Sequence, residues 1–297
     1  MASLKEIKGR INSVNSTRKI TSAMKMIASS KMHKAQVAIV NFLPYQKQLD
    51  AILTNLLAAE VDYDSPFTQK RNEVKKIAIV VFSSNTTLCG AYNVNVIKEL
   101  RATIDSKQSI GKENILVYPV GKQVAEAVKK AGLIPQGDFS EMADKPSFSE
   151  VQKLAKELIA KYSTGEVDEI SLIYHHFKSM GTQILVNESY LPFDLSPAKE
   201  EDNIKSDKKI VQADYIYEPS KVEILESLIP TVLYSRLYAA LLDSNASEHA
   251  ARTMAMQIAT DNANDLIQEL NIQYNKTRQF AVTSELLDIM GGVSAMQ

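Results

Sequence analysis

The stretch TVLYSRLYAALLDSNASEHAARTMAMQIATDNANDLIQELNIQYNKTRQFAVTSELLDIM, Thr231 to Met290, holds neither proline nor glycine. It places an apolar side chain in almost every window of four. Such a run predicts a single helix. Pro230 before it suits a helix's first turn, and Gly291-Gly292 after it suits a helix's end. At 1.5 Å per residue, about 60 helical residues reach roughly 90 Å, against an average globular helix of about 11 residues. A helix of that length cannot bury itself in one ordinary domain. It pairs with another long helix, enters another protein, or does both.

A partner is present at the other end of the chain. Residues 3–58 read as helix, with Leu4, Ile7, Ile11, Val14 and then Ile20, Met24, Ile27 at three- and four-residue steps. Pro44 is expected to kink this helix or mark a local break. Residues 1–40 carry eight lysines and arginines against the single acid Glu6, whereas residues 219–290 carry five against nine acids. Two long helices of opposite charge are natural neighbours. The basic, acid-poor N-terminus shares the composition of a transit peptide, but its pattern runs on without a cleavage-like break, as a mature helix does.

The middle of the chain changes character. Lys76–Phe82 and Ile115–Val120 are short β-branched runs that read as buried strands; Glu169–Phe177 and Thr182–Leu191 read as two more, separated by the Lys178–Gly181 turn. Ala91–Ser106, Gly121–Ala131 and Ser147–Tyr162 read as helices, the last with Ser147 or Ser149 as N-cap. Asp62–Pro66 reads as a loop, Ser196–Asp207 as a polar excursion, and Lys209–Tyr217 as a further strand. Alternating strands and helices predict a small α/β domain with a largely parallel sheet. The fold class is therefore α/β: a long antiparallel coiled coil of N- and C-terminal helices with an inserted Rossmann-like domain. The expected divisions are 1–70 for the first helix, 71–207 for the insert, and 208–297 for a foot segment and the long C-terminal helix.

If residues 4–43 pair with the lower part of the C-terminal helix, roughly 20–25 residues remain single at its end, or about 30–40 Å. That end holds Phe280, Val282, Leu286, Leu287, Ile289 and Met290. An apolar tip in water calls for a partner. Lys276 and Arg278 sit there with no acid between Glu269 and Glu285. The seam read in steps from Leu225 through Val232, Ser235, Leu242, His249, Thr253 and Met256 is interrupted by small and polar residues, which disfavours a strong leucine zipper.

No catalytic constellation survives inspection of the residues. His175 and His176 are adjacent on a strand and point to opposite faces, which disfavours a shared metal. Ser83–Gly90 has neither GxGxxG nor GxxxxGK[ST], and Gly121-Lys122 is too little for a phosphate loop. Cys89 is the only cysteine, so an intrachain disulfide is impossible and a reducing compartment fits. No apolar run of about 18 residues offers a membrane span. Two rival classes stand beside a helical rod. One is a basic coiled-coil module binding nucleic acid through residues 1–40, which would be steeply salt-dependent. The other is a small α/β enzyme with helical arms. The acidic partner helix and the lack of interleaved aromatics argue against the first, and the lack of a nucleophile–base pair against the second.

Longer motifs add to this reading. Ile11–Lys31 (INSVNSTRKITSAMKMIASSK), Ser247–Met256 (SEHAARTMAM), Ala259–Ala263 (ATDNA), Tyr274–Gln279 (YNKTRQ) and Thr283–Leu286 before Gly291-Gly292 resemble the gamma subunit of F-type ATP synthase, and the likeness covers essentially the whole chain. Ser84-Asn85-Thr86-Thr87 departs from the charged, glycine-containing turn usual in that family before Leu88-Cys89-Gly90. The plant-type cysteine-bearing insert is not seen, so thiol control is not expected.

The resemblance implies a non-catalytic rotor, without cofactor, that transmits torque in the proton-translocating synthase between a membrane ring of c subunits and catalytic beta subunits. Its partners would be the alpha and beta subunits of the head, the epsilon subunit and the c ring, with no nucleic acid. It would lie at the cytoplasmic face of a bacterial inner membrane, peripheral through the complex. The same resemblance assigns Arg278 and Gln279 to an acidic loop of a beta subunit, with Thr283 beside them. It places Met24 near a beta contact that needs an uncharged side chain, gives Arg252 a part in coupling along the shaft, and puts Tyr215, Tyr217 and Glu218 at the foot that meets the c ring and epsilon.

Overall fold

A computed structural model of the chain describes residues 3–58, 67, 71, 74–193 and 218–295. The elements in order are α1 (Leu4–Ala58), β1 (Ile77–Phe82), α2 (Tyr92–Ser106), β2 (Ile115–Val120), α3 (Lys122–Lys130), α4 (Ser140–Asp144), α5 (Phe148–Ser163), β3 (Glu169–Ser179), β4 (Thr182–Leu191) and α6 (Lys221–Ala295). Two compact units divide the chain. One comprises Met1–Ser30 with Arg252–Gln297, the other Lys31–Ala251, so each long helix contributes to both.

The larger unit is built on a four-stranded sheet in the order β2-β1-β3-β4. β1 pairs in parallel with β2 from Ile77↔Ile115 to Phe82↔Val120, and in parallel with β3 from Ile77↔Glu169 to Val81↔Ile173. β4 returns antiparallel to β3. β1 reads IAIVVF without alternation because both of its faces are covered. One face packs Ala78, Val80, Phe82, Ile170 and Leu172 against α5 through Leu154 and Leu158, and against α6 through Leu225, Ile229 and Leu233. α1 reaches the same core with Leu49, Leu53 and Leu56. The other face packs Ile77, Ile79 and Val81 against Val96 and Leu100 of α2 and Val124 and Val128 of α3. α2 and α3 thus lie on one face, and α5, which leads back into β3 on the opposite side of β1 from β2, lies on the other, as right-handed connections require.

Within this unit α6 is covered nearly all round from Leu237 to Ala250. Tyr190 Oη donates to the Leu233 carbonyl at 3.0 Å, Tyr92 Oη to the Ser244 carbonyl at 3.1 Å, and Ser247 Oγ to the His175 carbonyl at 3.1 Å. From α1, Phe42 meets Tyr238 edge-on with ring centroids 5.0 Å apart. Ala240, Ala246, Ser247 and Ala250 are the small residues that allow backbone to approach on every side.

Two expectations about helix ends are corrected, at Pro230 and at Gly291-Gly292. Pro230 lies ten residues into α6 and not in its first turn. Losing one backbone donor and accommodating the ring costs about 3 kcal/mol, and burial of Leu225, Ile229, Val232 and Leu233 around it offsets that. α1 likewise continues unbroken through Pro44. α6 also runs past Gly291 and Gly292 to Ala295. Glycine lowers helix propensity by about 1 kcal/mol without forbidding helical dihedrals, and neither residue adopts positive φ here. The expected loop at 62–66, the excursion at 196–207 and the strand at 209–217 lie outside the described residues.

Candidate functional site: the paired helices and their exposed end

The smaller unit is a pair of antiparallel helices. Arg18 Nη1 donates to Asn264 Oδ1 at 3.3 Å, and the Thr21 and Thr260 hydroxyls are 2.8 Å apart. Three residues up α1 match four residues back along α6, which fixes direction and register. The covered positions of α1 are Ile7, Ile11, Val14, Arg18, Thr21, Lys25 and Ala28; those of α6 are Thr253, Met256, Thr260, Ala263, Ile267, Leu270 and Tyr274. Both sets alternate steps of three and four, the heptad of a coiled coil.

Of the positions expected on the α6 seam, Thr253 and Met256 fall in this pair; on α1, Ile7, Ile11 and Val14 are covered as expected, but the second group is out of phase. Ile20 and Ile27 are 59% and 60% exposed, and Met24 is half-buried on the flank of the seam. The buried stripe follows Ile7, Val14, Thr21 and Ala28, a seven-residue repeat half of whose members do not read as apolar knobs. That repeat was the available signal for the Thr21–Thr260 pair, which a search for hydrophobic steps passes over.

The register sets Leu4 of α1 opposite residues 277–278 of α6. α6 continues without this partner over 279–295, a shorter stretch than the 20–25 residues expected. From Val282 to Ser294 every residue is exposed. Phe280, Leu287, Ile289 and Met290 are each more than 60% exposed. Arg278 stands immediately before this stretch, and Gln279 and Thr283 lie on it; all three are exposed, with Thr283 Oγ1 donating to the Gln279 carbonyl at 2.9 Å. Met24 is level with residue 257, about 21 residues or ~30 Å along α6 from Arg278, so the two are not brought together. Arg252, which is buried, belongs to the same stretch of the pair as Met24. Glu218 is exposed ahead of α6; Tyr215 and Tyr217 lie outside the described residues.

In the larger unit, the C-terminal ends of the parallel strands are where α/β sheets usually hold a ligand. Here the chain fills that place itself. Asn93 Oδ1 accepts the Ser84 N–H at 3.1 Å, and Asn93 Nδ2 donates to Ser84 Oγ at 2.8 Å and approaches Cys89 Sγ at 3.1 Å. Gly121, at φ +112°, passes so close to the Ser83 carbonyl that a Cβ there would sit 2.3 Å from its oxygen. Cys89 is buried, as expected of a packed residue. Asn85 ties the loop outward, donating to the Ser140 carbonyl and to Asp144, each at 2.7 Å, and accepting the Lys122 N–H at 3.1 Å. His175 and His176 do face apart. His175 is buried against Tyr92, whereas His176 Nδ1 pairs with Asp243 at 2.6 Å near the surface.

Among the described residues no helix is long and apolar enough to cross a membrane, and no three His, Cys, Asp or Glu side chains gather as a metal site.

Against known proteins, residues 3–296 match the family model described as ATP synthase. The ATP synthase gamma chain of Bacteroides thetaiotaomicron is 57% identical over 296 residues, covering 98% of this chain and 99% of the relative. That of Flavobacterium johnsoniae is 44% identical, covering 100% and 99%. Among solved structures, the rotor of the Euglena gracilis mitochondrial ATP synthase aligns with a TM-score of 0.62 at 18% identity, over 94% of this chain and 98% of that one. The central stalk and c-ring structure of the Tetrahymena thermophila mitochondrial enzyme contains a chain aligning at 0.57 and 22%, over 81% and 99%. At these identities the structural likeness is one of fold. With near-full-length identities of 44–57% to gamma chains and a matching family model, the chain belongs to the ATP synthase gamma chain family.

Proposed function

We propose that the chain is the rotating central shaft of an ATP synthase. Its helix pair is held inside a head of alpha and beta subunits, and its larger unit meets the epsilon subunit and the c ring. The observation that carries this reading is the end of α6, where a single helix presents Phe280, Leu286, Leu287, Ile289 and Met290 to solvent beside Arg278. A helix in water cannot keep five large apolar side chains on several of its faces unless a surrounding surface takes them up.

The shaft has no catalytic site of its own in this reading; nucleotide chemistry belongs to the beta subunits. The loop after β1 supports that assignment, because Ser84, Asn93 and Cys89 satisfy one another where a nucleotide would otherwise enter. Torque arises because the helix pair presents different side chains to each beta subunit in turn. Arg278 and Gln279 act as donors to a beta-subunit carboxylate at one rotor angle, Met24 must stay uncharged where it passes the head, and Arg252 holds the shaft's shape. Tyr215, Tyr217 and Glu218 serve the foot. The complex places the chain peripherally at the cytoplasmic face of the inner membrane.

Coexpression with alpha and beta subunits tests this. The chain should elute with them as one species on gel filtration, and membranes carrying the full complex should pump protons when given ATP. A chain that stays apart from alpha and beta would overturn the reading.

A further inference from the structure

Between Arg18 and Ala28 the helix pair has little that interlocks. Met256 is the bulky apolar side chain covered there, with Lys25 level with it; the other covered residues facing each other are small or hydroxylic, Thr21 and Ala28 against Thr253, Thr260 and Ala263. Knobs seated in holes resist sliding through their bulk. Alanine and threonine supply little of it, and apolar contact constrains spacing far better than it constrains sliding. Two directional contacts also cross this part of the seam: Thr21 with Thr260 at 2.8 Å, and Arg18 with Asn264 at 3.3 Å, one turn apart.

The hydroxyl pair has a further property. Thr21 Oγ1 lies 3.0 Å from the Arg18 carbonyl of its own helix, and Thr260 Oγ1 lies 2.8 Å from the Met256 carbonyl of its own. Two hydroxyl hydrogens thus serve three contacts, since each hydroxyl donates once. Whichever bond is forgone, neither hydroxyl is left without an acceptor. Joining the two helices here therefore adds little net stability, because the alternative bonds are local and already in place. It does favour one relative position of the helices over its neighbours.

We propose that Thr21, Thr260, Arg18 and Asn264 form a register lock, a positioning layer that holds the two helices of the shaft against sliding while contributing little to its stability. The lock deepens the rotor reading: a shaft whose helices slid past one another would lose part of each twist before it reached the beta subunits.

The test uses the assembled complex with alpha and beta subunits, in a Cys89→Ser background. The register places Val14 opposite Ile267, so the cysteine pair V14C/I267C reports the native position, and sliding in either direction is read by V14C with A263C and by V14C with L270C. Disulfide geometry is narrow enough to separate these positions. With the lock intact, V14C/I267C should close about tenfold faster than either displaced pair. In T21V/T260V/N264A that preference should fall to about threefold or less, with the melting temperature within ~2 °C of the parent. T21S/T260S keeps both hydroxyls and should keep the tenfold preference. An undiminished preference in T21V/T260V/N264A would overturn the lock, as would loss of preference in T21S/T260S. The disulfide rates decide the lock alone, whereas ATP-driven proton pumping by the same complexes decides the rotor reading.

Discussion

The imidazole of His175 stacks on the ring of Tyr92, centroids 4.6 Å apart and planes 30° apart, with its Nδ1 buried and without a hydrogen-bond partner. Burial holds its pKa down, from the ordinary 6.5 to about 4. The unfolded chain takes up this proton first as pH falls. The contribution is fully present above pH ~6.5 and is lost as pH falls toward 4, by about 3 kcal/mol in all. His175→Phe keeps the stacking and removes the titration. Its stability, followed by denaturant unfolding, should fall less than the parent's between pH 6.5 and 4; parallel profiles would refute this.

Asp168 fastens the chain entering β1. Its carboxylate accepts from Arg71 at 2.7 Å and from the N–H groups of Lys75 and Lys76 at 2.7 and 3.0 Å. Burial alone would raise its pKa, but the Arg71 guanidinium and the backbone donors outweigh burial and hold it below the usual carboxylate range. The stabilisation is present above the unfolded value near 4 and is lost as pH falls through the lower folded one. Asp168→Asn should cost about 2 kcal/mol at pH 7, and the gap to the parent should close in acid below pH ~4. Urea unfolding at both pH values checks it.

Gly121→Ala should destabilise the larger unit by more than ~2 kcal/mol, because the added Cβ meets the Ser83 carbonyl at 2.3 Å and the backbone is left-handed. An unchanged melting temperature would mean that β1 and β2 do not approach as described.

Arg278→Ala should slow ATP hydrolysis by the assembled complex and leave the chain folded, since the residue is exposed. A charge-assisted hydrogen bond to a partner's carboxylate is worth about 1.5–3 kcal/mol. Arg278→Lys should rescue in part, because an ammonium keeps the charge and loses the fork. Equal rates in parent and both variants would make Arg278 ordinary surface charge.

Met24→Lys should impair coupling more than assembly. The side chain is half-buried on the flank of the seam, so under the proposed function a lysine there should reach outward to a carboxylate of the head and hold the rotor at one angle. The readout is proton pumping relative to ATP hydrolysis in membranes; an unchanged ratio contradicts it.

The sequence carried much of this fold because its signals were long. The absence of breakers over Thr231–Met290 and the β-branched run Ile77–Phe82 leave few alternatives. Helix ends were less legible, since Pro230, Gly291 and Gly292 are local preferences that packing at Leu225 and Ile229 overrides or that nothing opposes. The phase of α1 beyond Val14 was missed for a different reason. Ile20 and Ile27 are apolar yet exposed, while Thr21 and Ala28 are covered, so hydropathy points away from the true seam. Surfaces that serve a partner invert the usual rule, and the exposed end of α6 at Leu286 and Leu287 was legible because length exposed it whatever the phase.

Rotation itself is the most direct test. With Cys89 replaced by serine, a cysteine at the exposed Met180 in the β3–β4 turn accepts a visible probe on an immobilised alpha–beta–chain complex. The account predicts that ATP drives the probe round in one direction, and that hydrolysis stalls when the chain is covalently tied to a beta subunit. Full-rate hydrolysis with the chain stationary or tied would contradict it.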